Sequence, residues 1–183
     1  MTPSGQLTSS ALQALIQDGN LAGTWTLDTA RSEVRLKSRS MWGLAPVKGV
    51  FREVTGNGTV SAAGEVTGTI TVAARSVDTK NKKRDEHLRS ADFFDVANYP
   101  DITFAAEQVT PSGEGVTLTG TLTVRDRTRP VTLAAKVSGF DGAQLELDGE
   151  IQVNRADFGL TWNQLGMVSV HNTITVHAVF TRP

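Results

Sequence analysis

Apolar and polar residues alternate with a period of two along most of this chain. Val34 and Leu36 stand between Glu33, Arg35 and Lys37, the pattern of a strand with one buried and one wetted face. Val47, Gly49 and Phe51 open the next run, and Val66, Ile70 and Val72 alternate with threonines in a strand over Glu65 to Ala74. Ile102, Phe104 and Ala106 resume the alternation. Val116, Leu118, Gly120, Leu122 and Val124 then share one parity, with Thr117, Thr119, Thr121 and Thr123 on the other. Val131, Leu133, Ala135 and Val137 point inward against Thr132, Lys136 and Ser138. Leu145, Leu147, Gly149, Ile151 and Val153 oppose Glu146, Asp148, Glu150 and Gln152, and a last run sets Asn172, Ile174, Val176, Ala178 and Phe180 against Thr173, Thr175 and His177. Turn signals separate the runs: Asn57-Gly58, Pro111-Ser112-Gly113, Asp126 to Pro130 and Asp141-Gly142. The pattern predicts an all-β meander of about eight strands, and closing it into a single antiparallel barrel removes both unpaired edges.

Two stretches break the alternation. Between Ser76 and Phe104 lies a charged connector, in which Asn81 is positioned to cap a helix over Lys82 to Ser90. Asp85 and Arg89, four apart, are expected to pair on its wet face. Leu88, Phe93 and Phe94 would point down onto the sheet, and Tyr99-Pro100 holds the chain extended before the next strand. At the N-terminus, Ser10 can cap a short helix with Leu12, Leu15 and Ile16 as its apolar stripe and Gly19 at its end. It reads as a helix packed over a barrel end or edge, or else as an oligomer contact or a plug. The organisation is therefore an N-terminal helical extension over residues 1–22 and a barrel domain over 23–183.

A length of 183 residues fits one domain. Eighteen basic against nineteen acidic residues leave a formal charge of −1, so no long-range field recruits nucleic acid. The absence of cysteine excludes disulfides, thiol catalysis and thiolate metal sites. The first twenty residues carry neither a basic n-region nor a continuous apolar core, and no run has transmembrane length. The expectation is a cytoplasmic protein with no integral membrane segment.

An eight-stranded barrel either fills itself or holds one small ligand. Gly68, Gly120 and Gly149 fall at inward parity in three long strands. They are either bend points where the wall coils or missing side chains that leave a cavity. Seven Phe, three Trp and one Tyr are thin filling for strands of ten residues, which rise roughly 33 Å. That tilts the reading toward a hollow. A lining of Val, Leu, Ile and Phe gives a polar guest nothing to replace its water, whereas each buried methylene of a hydrocarbon contributes about 0.8 kcal/mol. The guest expected is a long apolar chain with any polar head at the mouth.

Several motifs resemble the signature of the YceI-like family. They are Ser76-Val77-Asp78-Thr79, Arg84-Asp85-Glu86-His87-Leu88-Arg89-Ser90, Asp92-Phe93-Phe94-Asp95-Val96, Tyr99-Pro100 and Ile102-Thr103-Phe104. Leu122-Thr123-Val124, Thr128-Arg129-Pro130-Val131 and Arg155-Ala156-Asp157-Phe158-Gly159 look like its later landmarks, and Trp25-Thr26-Leu27-Asp28 with Ser32 and Val34 like its opening. The match runs from Trp25 to Phe180. It departs at Ser40-Met41-Trp42-Gly43, where family members usually show a His-x-Gly-like step, and at Asp126-Arg127-Thr128, where they often have Gly-Val-Thr. The resemblance implies a lipocalin-like barrel whose channel holds a polyisoprenoid chain such as an isoprenoid quinone, and it alone raises a homodimer. Inner parity and resemblance together nominate a ligand-binding lining of Leu36, Trp42, Phe51, Val66, Ile70, Leu88, Phe94, Phe104, Leu118, Leu122, Leu133, Leu147, Ile151, Phe158 and Ile174. His87 and Arg129 are head-group candidates.

No catalytic residue and no metal ligand set is assigned, and no cofactor is required beyond a bound isoprenoid lipid or quinone. Asp85, Glu86 and His87 are helix neighbours that point apart, so surface charge is preferred over an acid–base cluster. His171 and His177 share a parity but lie roughly 20 Å apart along a strand, too far for one metal ion. Asp126-Arg127-Thr128-Arg129 reads as a turn of solvated charges, or else as a site for an anionic head group. Met41 and Trp42 are either core residues or an apolar lip. The alternative to a lipid-binding module is an enzyme acting on a lipid-like substrate through Asp85, His87 and Arg129. A filled barrel serving as an interaction scaffold is a third reading.

Overall fold

The computed structural model describes residues 6–41, 43–163, 166 and 168–183. Eleven strand segments make one antiparallel sheet: β1 (Gly23–Leu27), β2 (Glu33–Ser40), β3 (Ala45–Phe51), β4 (Val54–Val60), β5 (Val66–Ala73), β6 (Val77–Asp78), β7 (Asp101–Ser112), β8 (Gly115–Val124), β9 (Arg127–Phe140), β10 (Gln144–Asn154) and β11 (His171–Thr181). Pairing runs β1-β4-β5-β7-β8-β9-β10-β11 and closes where Thr26 meets Thr181 and Leu27 meets Phe180. The ring thus holds eight strands, as the alternation predicts.

Three of those strands are each broken in two. β2 continues the wall where β1 leaves off, beside β11, with β3 next to β2 and β6 next to β3. Side chains patch the breaks. Asp28 Oδ1 accepts from the N–H groups of Ala30 and Arg31, Ser32 Oγ accepts from Val179 N–H at 3.0 Å, and Ser76 Oγ accepts from Glu53 N–H at 3.1 Å. Each bond satisfies a main-chain donor that a continuous ladder would have used. Two expected turns fall inside strands instead. Asn57 and Gly58 lie in β4 opposite Thr69 and Gly68, and the chain reverses at Ser61 to Glu65. Asp126 to Pro130 is mostly strand, since β9 begins at Arg127.

Helix α1 (Ser9–Gln17) is capped by Thr8 rather than Ser10, through a bond from Ala11 N–H to Thr8 Oγ1. The Leu7 N–H donates to Val137 O, and Leu12 is buried with Leu21, Trp25, Leu27, Val116, Val137, Ala178 and Phe180 in one core. Trp25 Nε1 donates to Leu21 O at 2.9 Å, and the Arg182 guanidinium lies 4.5 Å from the indole centroid. That end of the barrel is solid. Helix α2 (Lys82–Arg89) starts at the expected Asn81 cap. No described helix is long and apolar enough to cross a membrane.

The inward glycines mark crowding of the wall rather than space. A Cβ at Gly120 would collide with the Ala105 carbonyl oxygen, and one at Gly68 would lie 2.9 Å from Asn57 O. Gly58, Gly68, Ala106 and Gly120 sit opposite one another in successive strands, a row of small residues across the sheet where it curls. Gly120→Ala is expected to destabilise the fold by roughly 1–3 kcal/mol, as for other overpacked sites. Gly149→Ala should cost less, because its new methyl meets the movable Leu133 side chain at 3.3 Å. Urea unfolding of the two variants reads the difference, and equal midpoints would contradict it.

Candidate functional site

The other end of the barrel is hollow. At that end β9 pairs with β10 only over Ala134 to Phe140, and the 3₁₀ turn Arg155–Phe158 packs against β9 where the two strands part. On another side, β6 pairs only with β3, and the connector carrying α2 covers the wall beyond it. Beneath these two covers lies a cavity of about 710 Å³, the size of pockets that enclose a drug-sized ligand. Every strand from β7 to β11 supplies inward residues to it, together with β2, β3 and β5.

Of the nominated lining, Leu36, Phe51, Ile70, Leu88, Phe94, Phe104, Leu122, Leu133, Ile151, Phe158 and Ile174 all border the cavity, and so does His87. Val66, Leu118 and Leu147 do not. Leu118 and Leu147 pack against the buried core that includes Leu12 and Trp25, and Val66 pairs with Val60 at the end of the β4–β5 hairpin. Parity tells which face a residue occupies but not how far along the bore it stands. Arg129 is exposed on β9 outside the lining, with Nη1 3.3 Å from the Thr128 carbonyl. Trp42 lies outside the described residues. Met41, beside it, is 50% exposed at φ 51°, so it is not a core residue.

The roof over the cavity is held by buried polar bonds. Asp85 does not pair with Arg89. It is buried, accepting from Thr79 N–H at 3.0 Å and from the Thr79 hydroxyl. Arg89 instead donates to the carbonyls of Arg75 at 2.8 Å and Val77 at 3.0 Å, and Arg84 to Thr79 Oγ1 and O. Main-chain groups of the 75–79 segment would otherwise lack partners, and satisfying them outweighs an exposed helical ion pair of a few tenths of a kcal/mol. Leu88 and Phe94 hang from this roof, with Phe94 edge-on to Phe51 at 5.9 Å. His87, Phe93 and Trp162 form an aromatic seam between α2 and the loop after Phe158, with His87 and Trp162 rings 4.4 Å apart. His87 Nε2 lies 2.8 Å from Asp92 Oδ2. Asp85 and His87 are thus engaged with different partners and Arg129 is elsewhere, so the three do not converge as an acid–base group.

Arg155 is among the lining residues that were not nominated, though its motif was noted. Arg155 is only 6% exposed, and its guanidinium donates to the carbonyls of Leu160 at 2.7 Å, Trp162 at 2.8 Å and Ser169 at 3.0 Å, with Val168 O farther at 3.4 Å. It therefore holds together the irregular loop that covers one side of the mouth. Burial pulls its pKa below the ordinary guanidinium value, from a range so high that the group keeps its charge. The signal was present: Arg155 is the next inward position after Leu145, Leu147, Gly149, Ile151 and Val153. Ser38 and Ser40 likewise continue the inward parity of Val34 and Leu36, and with Asn172 they give the lining polar groups near the mouth.

Comparison with known proteins adds the relationships. The YceI-like domain matches residues 25–181. A UPF0312 protein of Enterobacter sp. (strain 638) is 35% identical over 128 residues, covering 65% of this chain and 66% of that protein. Protein YceI of Salmonella arizonae is 38% identical over 97 residues, 50% of this chain and 51% of the relative. The matches thus span about half to two thirds of the length of these curated relatives. Among solved structures, BcnA of Burkholderia cenocepacia superposes with a TM-score of 0.76 at 25% identity, over 84% of this chain and 98% of its own. A polyisoprenoid binding domain from Saccharophagus degradans, implicated in plant cell wall breakdown, gives 0.70 at 16% identity over 87% and 98%, a likeness of fold alone. The Campylobacter jejuni YCEI protein gives 0.65 at 25% identity over 75% and 85%.

Proposed function

This chain belongs to the YceI-like domain family, and on that premise we propose that its barrel binds a long-chain isoprenoid lipid, tail inward, for storage or transport. The observation that carries this reading is the cavity itself: about 710 Å³, walled deep inside by Val, Leu, Ile and Phe side chains and shut at one end by the Trp25 core. Water gains little in such a space, and each methylene moved into it contributes roughly 0.8 kcal/mol, about fourfold in Kd. A tail is held by its length rather than by any single contact. The name of the Saccharophagus domain lends support to a polyisoprenoid guest.

The test is uptake. Delipidated protein incubated with an isoprenoid series of increasing length, and read by native mass spectrometry, is expected to retain one chain per barrel, with affinity rising with length until the bore is full. Protein purified from its own host is expected to carry such a chain. A species that stays empty across the whole series would overturn the reading.

A further inference from the structure

We propose that the lipid carried here has an anionic head group, a carboxylate or a phosphate on the long chain, held at the α2 end by Arg155, Arg84, Lys83 and Arg39. This rests on the lipid-cavity reading and adds the chemistry of its polar end. The first observation is a one-sided charge. All charged residues that line the cavity are cations, Arg39, Lys83, Arg84 and Arg155, and no described lining residue is Asp or Glu. The chain as a whole has nineteen acidic residues against eighteen basic ones, so the excess belongs to this site and not to the protein.

The second observation is that these cations have no counter-ions. Elsewhere Arg31, Arg35, Arg52, Arg75 and Lys80 pair with carboxylates within 4 Å, and the other basic side chains described are exposed or bonded to carbonyl oxygens without an ion pair. Among the described residues, none of the four cations at the cavity forms such a pair. Arg155 is the sharpest case. Its donors are satisfied by carbonyl oxygens, which carry no net charge, and a buried guanidinium without an anion is costly. Its position beside the Phe93 ring, 5.7 Å from the centroid, adds a weak attraction and no neutralisation.

The third observation concerns the neutral polar groups. The Ser38 hydroxyl borders the cavity, is buried, and has no hydrogen-bond partner. Ser169 N–H donates to Arg39 O at 2.9 Å while Ser169 O accepts from Arg155 Nε, so β2, the loop and Arg155 share one corner of the mouth. The His87–Trp162 contact brings the α2 cations to the same lip, because Trp162 O is itself held by Arg155. An unpartnered Ser38 hydroxyl and positive charge without an anion at the mouth of an apolar tube match a head that accepts hydrogen bonds and carries negative charge.

The experiment compares matched heads on one tail. Full-length delipidated protein is titrated with a C18 fatty acid, its primary amide and its alcohol, and with a C20 isoprenyl phosphate and its alcohol, alongside inorganic phosphate alone. Displacement of a neutral fluorescent alkyl probe gives each Kd at low and moderate salt. The anionic lipids are expected to bind about 10- to 100-fold tighter than their alcohols, the range of charge-assisted hydrogen bonds. That ratio should shrink with salt and fall to about threefold or less in Lys83→Gln/Arg84→Gln, a variant that leaves Arg155 and its loop intact. Whichever of carboxylate and phosphate binds better names the head within the class. Alcohols or amide binding as well as the anions, a ratio unchanged in the variant, or inorganic phosphate binding as tightly as the isoprenyl phosphate would each overturn the proposal. Failure of every lipid to bind would instead sink the lipid-cavity reading beneath it.

Discussion

Ile174→Trp is expected to weaken binding of a long alkyl or isoprenyl chain by a hundredfold or more while leaving the barrel folded. Ile174 lies on β11 between Ile151 of β10 and Leu36 of β2, and all three face the cavity. Four strands away around the ring in either direction, Phe104 of β7 faces the same space. An indole at position 174 reaches across toward that ring and shortens the usable bore. If four methylenes are kept out, the loss is about 3 kcal/mol, more than a hundredfold in Kd. Strain from overpacking is small, because the new atoms enter empty volume and not a filled core. Native mass spectrometry with the length series, run beside an unfolding curve, reads both effects. A folded variant that still takes up the longest chain at full affinity would show that the tail lies elsewhere.

The second large effect is on stability and comes from the opposite end. Trp25→Ala is expected to cost about 3–5 kcal/mol, the range for truncating a buried aromatic side chain. Trp25 is 3% exposed and sits among Leu12, Leu21, Leu27 and Phe180. Its loss also strands the Leu21 carbonyl and removes the platform under Arg182, whose guanidinium ties Asn20, Ala22 and Gly142 together. Urea unfolding with an unchanged slope should show the full drop in midpoint. A loss below about 1 kcal/mol would mean that this end is not the packed core described above.

Much of this architecture was legible as parity. The inward sets on β8, β9, β10 and β11 follow directly from residues two apart, and Asn81 announced its helix. What parity could not convey is position along the bore. Leu118 and Leu122 stand two repeats apart on one face, yet Leu122 borders the cavity and Leu118 does not. The strand breaks were hidden for a different reason. Ser32 and Ser76 act on Val179 and Glu53, partners that only the closed sheet brings near. Asp85 and Arg89 carried a strong local pairing signal that lost to main-chain groups of the preceding segment. Arg155 stands at the end of an apolar inward series, a charged residue in a position that parity alone assigns to the cavity.

The solid half has one more consequence. With Trp25 and its neighbours packed at the far end, the described residues leave the cavity as a blind bore, and a guest would come and go at the α2 end. On the proposed lipid reading, a chain would enter tail first and leave head first, so its head would face whatever lies outside the mouth. On that reading the same stopper would act as a ruler: a tail longer than the blind bore would leave its surplus carbons outside, next to the charged lip.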